Sequence, residues 1–417
     1  MKSNFYTKKN RNLSTEHILI LAGTILFFFF HPALYSGQAV ATDKTISFSG
    51  YVKTDLYFDT RNTASARDGQ FMLFPLNVVR DSEGKDINSN PQFNIISIQT
   101  RLRTSITGPD AFGAKSSGFI ETAFFGSAEG NINTLRMRHA FLKLDWDKTE
   151  LLVGQTWHPL FVAQSFPGTV SLSTGAPFQA FSRNPQVRLT HSMGSLSAIL
   201  AAMSHRDGSG PGGTQALRNA VVPNLHAQIQ GSAGSILGGA GIDFKRIDID
   251  PQQYDPVNSI AGFGYLNIPV GPITSKSYFI YGENLMDHML LGGVALHSDG
   301  KTLVPYRTVS AWHDLTTGFM GNPENTRFEL GLYTGFSRNL GTDEDNIIRV
   351  QGFARGMDID YLYRIAPRAQ IQSGPVRFSL ELDVTTAAYG DFKSDGTVDK
   401  TRDVTNYRIL AGAWFFF

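Results

Sequence analysis

Arginines recur at alternating positions: Arg101 with Arg103, then Arg136 with Arg138, followed by Arg183 and Arg188. A guanidinium stays charged throughout the physiological pH range and binds carboxylate or phosphate through paired hydrogen bonds, so a ladder of them lowers the barrier for anions. Glu121 is the nearest candidate counter-charge, and His158 is the other ionisable group close to the set in sequence. The competing reading is that arginines and acids pair across a wall and hold it rigid. Either way the side chains must share a face. An i, i+2 spacing does this on a β-strand, where successive side chains point to opposite sides.

Bond-making chemistry has weaker support. Ser204-His205-Arg206-Asp207 contains the residue types of a hydrolase triad, but neighbours on one strand diverge, and a triad needs convergence from separate segments. His139, His191, His226, His288, His297 and His313 show no i, i+2 or i, i+4 pairing suited to a metal. Gly238-Gly239-Ala240-Gly241 lacks the strand–helix context of a nucleotide loop and instead makes room for a packed neighbour or a bend. With no cysteine, neither a disulfide framework nor a thiolate metal site is available. No cofactor is expected.

The elements that would carry the arginines are long alternating strands. Ile46, Phe48, Gly50, Val52, Thr54, Leu56 and Phe58 fall on one parity, and Ser47, Ser49, Tyr51, Lys53, Asp55, Tyr57 and Asp59 on the other. A second run sets Ile96, Ile98, Thr100, Leu102, Thr104 and Ile106 against Ser97, Gln99, Arg101, Arg103 and Ser105. A third sets Phe378, Leu380, Leu382 and Val384 against Arg377, Ser379, Glu381 and Asp383. Runs of this length exceed the globular norm of about 5–6 residues and suffice to cross a bilayer when tilted. Charges on a lipid-facing side cost up to about 2–4 kcal/mol at midplane, so the arginines are expected to point inward.

Turn signals at Gly108-Pro109-Asp110, Asp147-Lys148, Gly194-Ser195, Gly231 to Gly234, Gly271-Pro272 and Gly374-Pro375 divide the chain into hairpins. Arg61 to Asn94 and Asp207 to Arg218 read as long external loops. Short turns at one end and long loops at the other belong to an all-β, transmembrane antiparallel β-barrel, for which the spacing of hairpins predicts about 16 strands. After the fifth strand, ending at Trp157, comes His158 to Ser182. It contains Pro159, Pro167, Pro177 and several phenylalanines, with no ionisable group other than His158 before Arg183. That composition predicts an inward-folded third loop that narrows the lumen; the alternative is an external loop packed on a neighbouring subunit.

The two ends agree with a membrane barrel. The tail Leu410-Ala411-Gly412-Ala413-Trp414-Phe415-Phe416-Phe417 suits a closing strand with aromatics at the membrane interface. At the other end, Lys8, Lys9 and Arg11 precede the apolar run Ile18 to Phe30, and Ala39-Val40-Ala41 follows. This is the layout of a cleaved signal peptide over residues 1–41, leaving 42–417 as a single porin-type barrel domain. Four of the 37 basic residues (Lys2, Lys8, Lys9, Arg11) and one of the 36 acidic ones (Glu16) fall in that leader, so the remainder carries 33 against 35, net −2. A near-neutral chain of this kind argues against nucleic acid as a partner.

Leu135 to Leu144, then Val153-Gly154-Gln155-Thr156-Trp157, the long loop and Arg183-Asn184-Pro185-Gln186-Val187-Arg188 resemble the trimeric outer-membrane porins of the DcaP-like kind. The likeness covers roughly Leu135 to Arg188 plus the C-terminal strand. It implies a homotrimer in the outer-membrane lipid, forming a diffusion channel for small hydrophilic, often anionic solutes. No coiled-coil segment follows the leader, so trimer reinforcement of that sort is not expected. On these residues the pore-lining set is Arg101, Arg103, Glu121, Arg136, Arg138, His158, Arg183 and Arg188. A barrel valued for its outer loops, as an adhesin, a structural protein or a rim hydrolase, is the alternative.

Overall fold

The computed structural model describes residues 44–126, 129–204, 210–322 and 325–417. The leader and the His205–Asp207 segment lie outside them. Among the described residues, antiparallel strands pair in sequence order and close into one barrel. They are β1 (Thr45–Asp59), β2 in two pieces (Gln92–Ile96 and Arg101–Thr107), β3 (Lys115–Ala123), β4 (Arg136–Trp146), β5 (Thr149–Trp157), β6 (Arg183–Met193), β7 (Leu196–Met203) and β8 (Asn224–Ala233). The second half comprises β9 (Ile236–Ile247), β10 (Val257–Val270), β11 (Ile273–Glu283), β12 (Arg307–Thr316), β13 (Arg327–Asn339), β14 (Ile359–Ser373), β15 (Val376–Phe392) and β16 (Val398–Phe416). The sixteenth pairs with the first from Tyr51↔Phe416 to Asp59↔Arg408, which removes every sheet edge and satisfies the backbone without water.

Alternation fixes the two faces. On β1, Ile46, Phe48, Val52, Leu56 and Phe58 are exposed to the outside, while Tyr51, Lys53, Asp55, Tyr57 and Asp59 are buried within. On β15, Phe378, Leu380 and Leu382 face out and Ser379, Glu381 and Asp383 face in. The terminal Phe417 faces out, and its backbone exchanges two hydrogen bonds with Gly50 (3.0 and 3.2 Å). A Cβ at Gly50 would collide with the carbonyl of Arg101 and crowd the Phe417 ring, so the closing seam needs glycine there. The run Gly238–Gly241 makes room as expected: a Cβ at Gly239 or Gly241 would come within 2.8 or 2.7 Å of the rings of Tyr265 and Phe263.

Two expectations need correction. The second alternating run is not one strand: Ser97–Thr100 breaks it, and the two pieces pair with β1 one residue out of register, Asp55↔Ile96 but Tyr51↔Arg101. This bulge reverses the parity, so Ile96 and Ile98 lie inside with Arg101 rather than outside with Leu102. Arg61 to Asn94 is not simply an external loop either. Within loop 1 (60–91), Thr63–Ala66 and Phe71–Pro75 form a hairpin whose second strand is buried throughout. Smaller shifts occur at two other places: the β8–β9 turn is Gly234-Ser235, and Gly213–Asn219 in the fourth long loop is a short helix.

The short connections fall at one end and the long loops at the other. Loop 3 (158–182) folds into the barrel. Its hydrogen bonds reach the far wall: Val170 N and Ser171 N donate to the Glu381 carboxylate (2.7 and 3.2 Å), and Gly168 N to Asp314 (3.1 Å). Lys53 Nζ donates to Val170 O (2.9 Å), Tyr278 to Leu160 O (3.0 Å) and Tyr333 to Gly175 O (2.9 Å). A loop whose one ionisable residue is His158 thus has its backbone polar groups satisfied by wall side chains.

Candidate functional site

Loop 3 leans on strands β11–β15 and β1, and across from it the wall of β2–β4 carries the arginine cluster. Register opposes Arg103 directly to Glu121 across β2 and β3. Arg103 Nε donates to Glu121 Oε2 at 2.6 Å, Arg138 Nε donates to Oε1 at 2.6 Å, and Arg101 Nη1 lies 3.7 Å from Oε1. Three guanidinium groups therefore converge on one carboxylate. Arg138 is 1% exposed, and its Nη1 and Nη2 meet no hydrogen-bond acceptor among the described residues. Arg103 keeps 36% of its side chain accessible inside the barrel, so lumen water reaches the cluster. Aromatic faces support the buried guanidinium of Arg138, with Phe125 and Trp157 centroids at 5.5 and 5.8 Å.

Other lumenal arginines behave differently. Arg408 pairs with Asp59 (2.6 Å), Arg364 with Asp383 (3.2 Å), and Arg368 with both Asp314 (2.6 Å) and Glu329 (3.3 Å). There, three arginines meet four carboxylates in pairs that hold the wall and loops, as the structural reading expects. Around Glu121, among the described residues, three guanidinium groups share one carboxylate. The pairing reading of the arginines thus holds for the other pairs.

The remaining candidates are placed as follows. The Arg183 guanidinium lies 4.7 Å from the Trp157 ring and 5.5 Å from Phe181, at the exit of loop 3. Arg188 donates to Gln186 Oε1 (2.9 Å) and Trp157 O (2.5 Å), bracing the root of the loop. Arg136 is half-buried beyond a bulge in β4, opposite Ala123. His158 is fully buried at the start of loop 3.

His158 belongs to a group that spacing along the chain does not reveal. Its Nε2 lies 3.5 Å from Asp243, whose cross-strand neighbour His226 contacts the same oxygen through Nδ1 at 3.2 Å. The donor atoms of His158, His226 and Asp243 lie within 4.8 Å of one another, a grouping that suits a divalent metal. Against that, His158 Nδ1 accepts the Leu160 amide (3.1 Å), which puts the ring proton on Nε2, facing Asp243. The arrangement reads as a latch in which His226 and Asp243 are hydrogen-bonded and His158 packs against Asp243 at ion-pair distance. His288 on loop 6 (284–306) extends it, with ring centroids 4.6 Å from His158 and Nδ1 3.0 Å from Ser182 Oγ.

His139 is the lumenal residue that alternation missed. Register slips between Glu121↔His139 and Thr122↔Met137, so Arg138 and His139 are both buried inside, although adjacent. His139 contacts Thr156 Oγ1 (3.0 Å) and packs edge-on against Trp157 (5.4 Å).

No protein-family model and no curated protein matches the sequence. Solved structures do. The outer membrane channel DcaP of Acinetobacter baumannii superposes with a TM-score of 0.66 at 18% identity, over 92% of this chain and 100% of that one. The anion-selective porin from Comamonas acidovorans gives 0.55 at 11% identity, over 90% and 100%. OmpT, an outer membrane protein of Vibrio cholerae, gives 0.52 at 11%, over 91% and 100%. By its architecture the chain is a closed sixteen-stranded porin barrel with a DcaP-like fold.

Proposed function

We propose that the chain is an outer-membrane porin, a passive channel and not an enzyme, through which small hydrophilic solutes diffuse with a preference for anions such as carboxylates. The observation that carries this is the convergence of three guanidinium groups on Glu121, one of them, Arg103, open to the lumen. The accessible Arg103 side chain offers guanidinium donors to a passing carboxylate, while the buried Arg138 adds its positive charge from behind. Loop 3 narrows the lumen toward that wall, so solutes pass close to it. Assembly as a homotrimer, export by a cleaved leader and residence in outer-membrane lipid belong to the same reading. It is supported by the fold shared with outer-membrane channels, among them a trimeric form of the Vibrio cholerae OmpT. Purified barrel reconstituted in a planar bilayer is expected to show discrete conductance steps, three to an insertion event. A folded barrel without conductance would contradict the proposal.

A further inference from the structure

Loop 1 carries a guanidinium to the arginine cluster from a segment that reads, in sequence, as polar and external. Lumenal side chains hold its hairpin inside the barrel: Arg408 Nη2 donates to Gly69 O (2.8 Å), Arg364 Nη2 to Leu73 O (2.9 Å) and Tyr389 to Pro75 O (2.6 Å). Gln70 Nε2 donates to Asp55 (2.6 Å). The tip is Arg67-Asp68-Gly69-Gln70, with φ of 58°, 57° and 83° at its first three residues. Glycine suits this left-handed region, and a Cβ at Gly69 would strike the Tyr57 hydroxyl. Arginine does not suit it, and a long side chain kept in such a conformation points to a use for that side chain.

The contacts say what the use is. The Arg67 guanidinium lies 4.5 Å from the Phe125 centroid and 5.3 Å from that of Phe71. Arg138 lies 5.5 Å from the same Phe125 ring. One phenyl ring therefore carries two guanidinium groups, one from loop 1 and one from β4. Phe71 in turn packs on Phe181 at 5.1 Å, so the hairpin and loop 3 meet beside Arg183.

We propose that the loop 1 hairpin is a second jaw of the constriction, and that Arg67 lines the solute path and sets selectivity together with Arg138. The direction of that selectivity rests on the anion-channel reading; the position of Arg67 on the path does not. The chain has no cysteine, so Arg67→Cys introduces a single thiol. Labelling it in open channels with a negatively charged methanethiosulfonate reagent is expected to reduce conductance in one step per pore. A channel labelled to completion by mass, with unaltered conductance, overturns the second jaw whatever the wild-type selectivity.

Charge is tested separately by Arg67→Gly, which suits the positive φ and so leaves the turn intact. Its anion-over-cation permeability ratio is expected to fall about threefold to tenfold, because one charge beside the path favours anions and disfavours cations alike under water-like screening. Arg67→Lys should keep the wild-type ratio. An unchanged ratio in Arg67→Gly, in a barrel whose wild type prefers anions, overturns the selectivity role and leaves the anion reading standing. A wild type that prefers cations instead overturns the anion reading and the selectivity role with it.

Discussion

Replacing Arg138 with methionine removes one charge from the arginine cluster while keeping an apolar stem against Phe125 and Trp157, where sulfur–aromatic contact is favourable. Glu121 retains Arg103 at 2.6 Å and Arg101 at 3.7 Å, so no buried acid is left unpaired. The size of the effect follows from Coulomb's law. An anion about 4 Å from a guanidinium gains about 1 kcal/mol with water-like screening and about 4 kcal/mol at an effective dielectric constant of about 20. Lumen water reaches the neighbouring Arg103, which pulls the value toward the lower limit. A loss of about 1.4 kcal/mol corresponds to about tenfold in anion occupancy. The assay is the reversal potential of single channels in a potassium chloride gradient, with heat-modifiable gel mobility as the control for folding. A folded Arg138→Met barrel whose anion-over-cation ratio stays within about twofold of wild type would refute the electrostatic argument.

Three further outcomes follow from the same contacts. Glu121→Gln leaves the guanidinium groups of Arg101, Arg103 and Arg138 without their carboxylate. Urea unfolding should show a loss of about 3 kcal/mol, and surviving channels should prefer anions more strongly. Glu381→Ala releases the amides of Val170 and Ser171, charge-assisted bonds worth about 1.5–3 kcal/mol each; it is expected to raise open-channel noise without lowering the thermal midpoint of the barrel, and a quiet trace would count against the clamp. Gly50→Val crowds the seam between β1 and β16 and should cost about 1–3 kcal/mol, read as a smaller heat-modifiable fraction; normal folding yield would show that the seam has slack.

Strand parity was legible wherever a strand ran without a bulge. In β1 and β15 the sequence alone separates the lipid face from the lumen, because burial there is decided residue by residue. The inward direction of Arg101 and Arg103 came from the same rule. It failed at Ile96 and Ile98, and at His139, because one extra residue in β2 and another in β4 reverse the alternation without leaving a compositional trace. Loop 3 was legible because it lacks charge. Loop 1 was not, since Arg61, Arg67, Asp68 and Gln70 resemble solvent-exposed loop residues. Their partners come from elsewhere in the chain: Asp86 pairs with Arg61, Asp55 accepts from Gln70, and Arg408 donates to Gly69 O. The latch of His158, His226 and Asp243 escaped for a similar reason: three separate segments supply it.

Reversal potential of the wild-type channel in a planar bilayer under a salt gradient tests the central claim most directly. With Arg101, Arg103 and Arg138 facing a single carboxylate, zero current is predicted at the sign of potential set by chloride, with anions favoured over cations. A reversal potential of the opposite sign would contradict the arginine wall as the selectivity element.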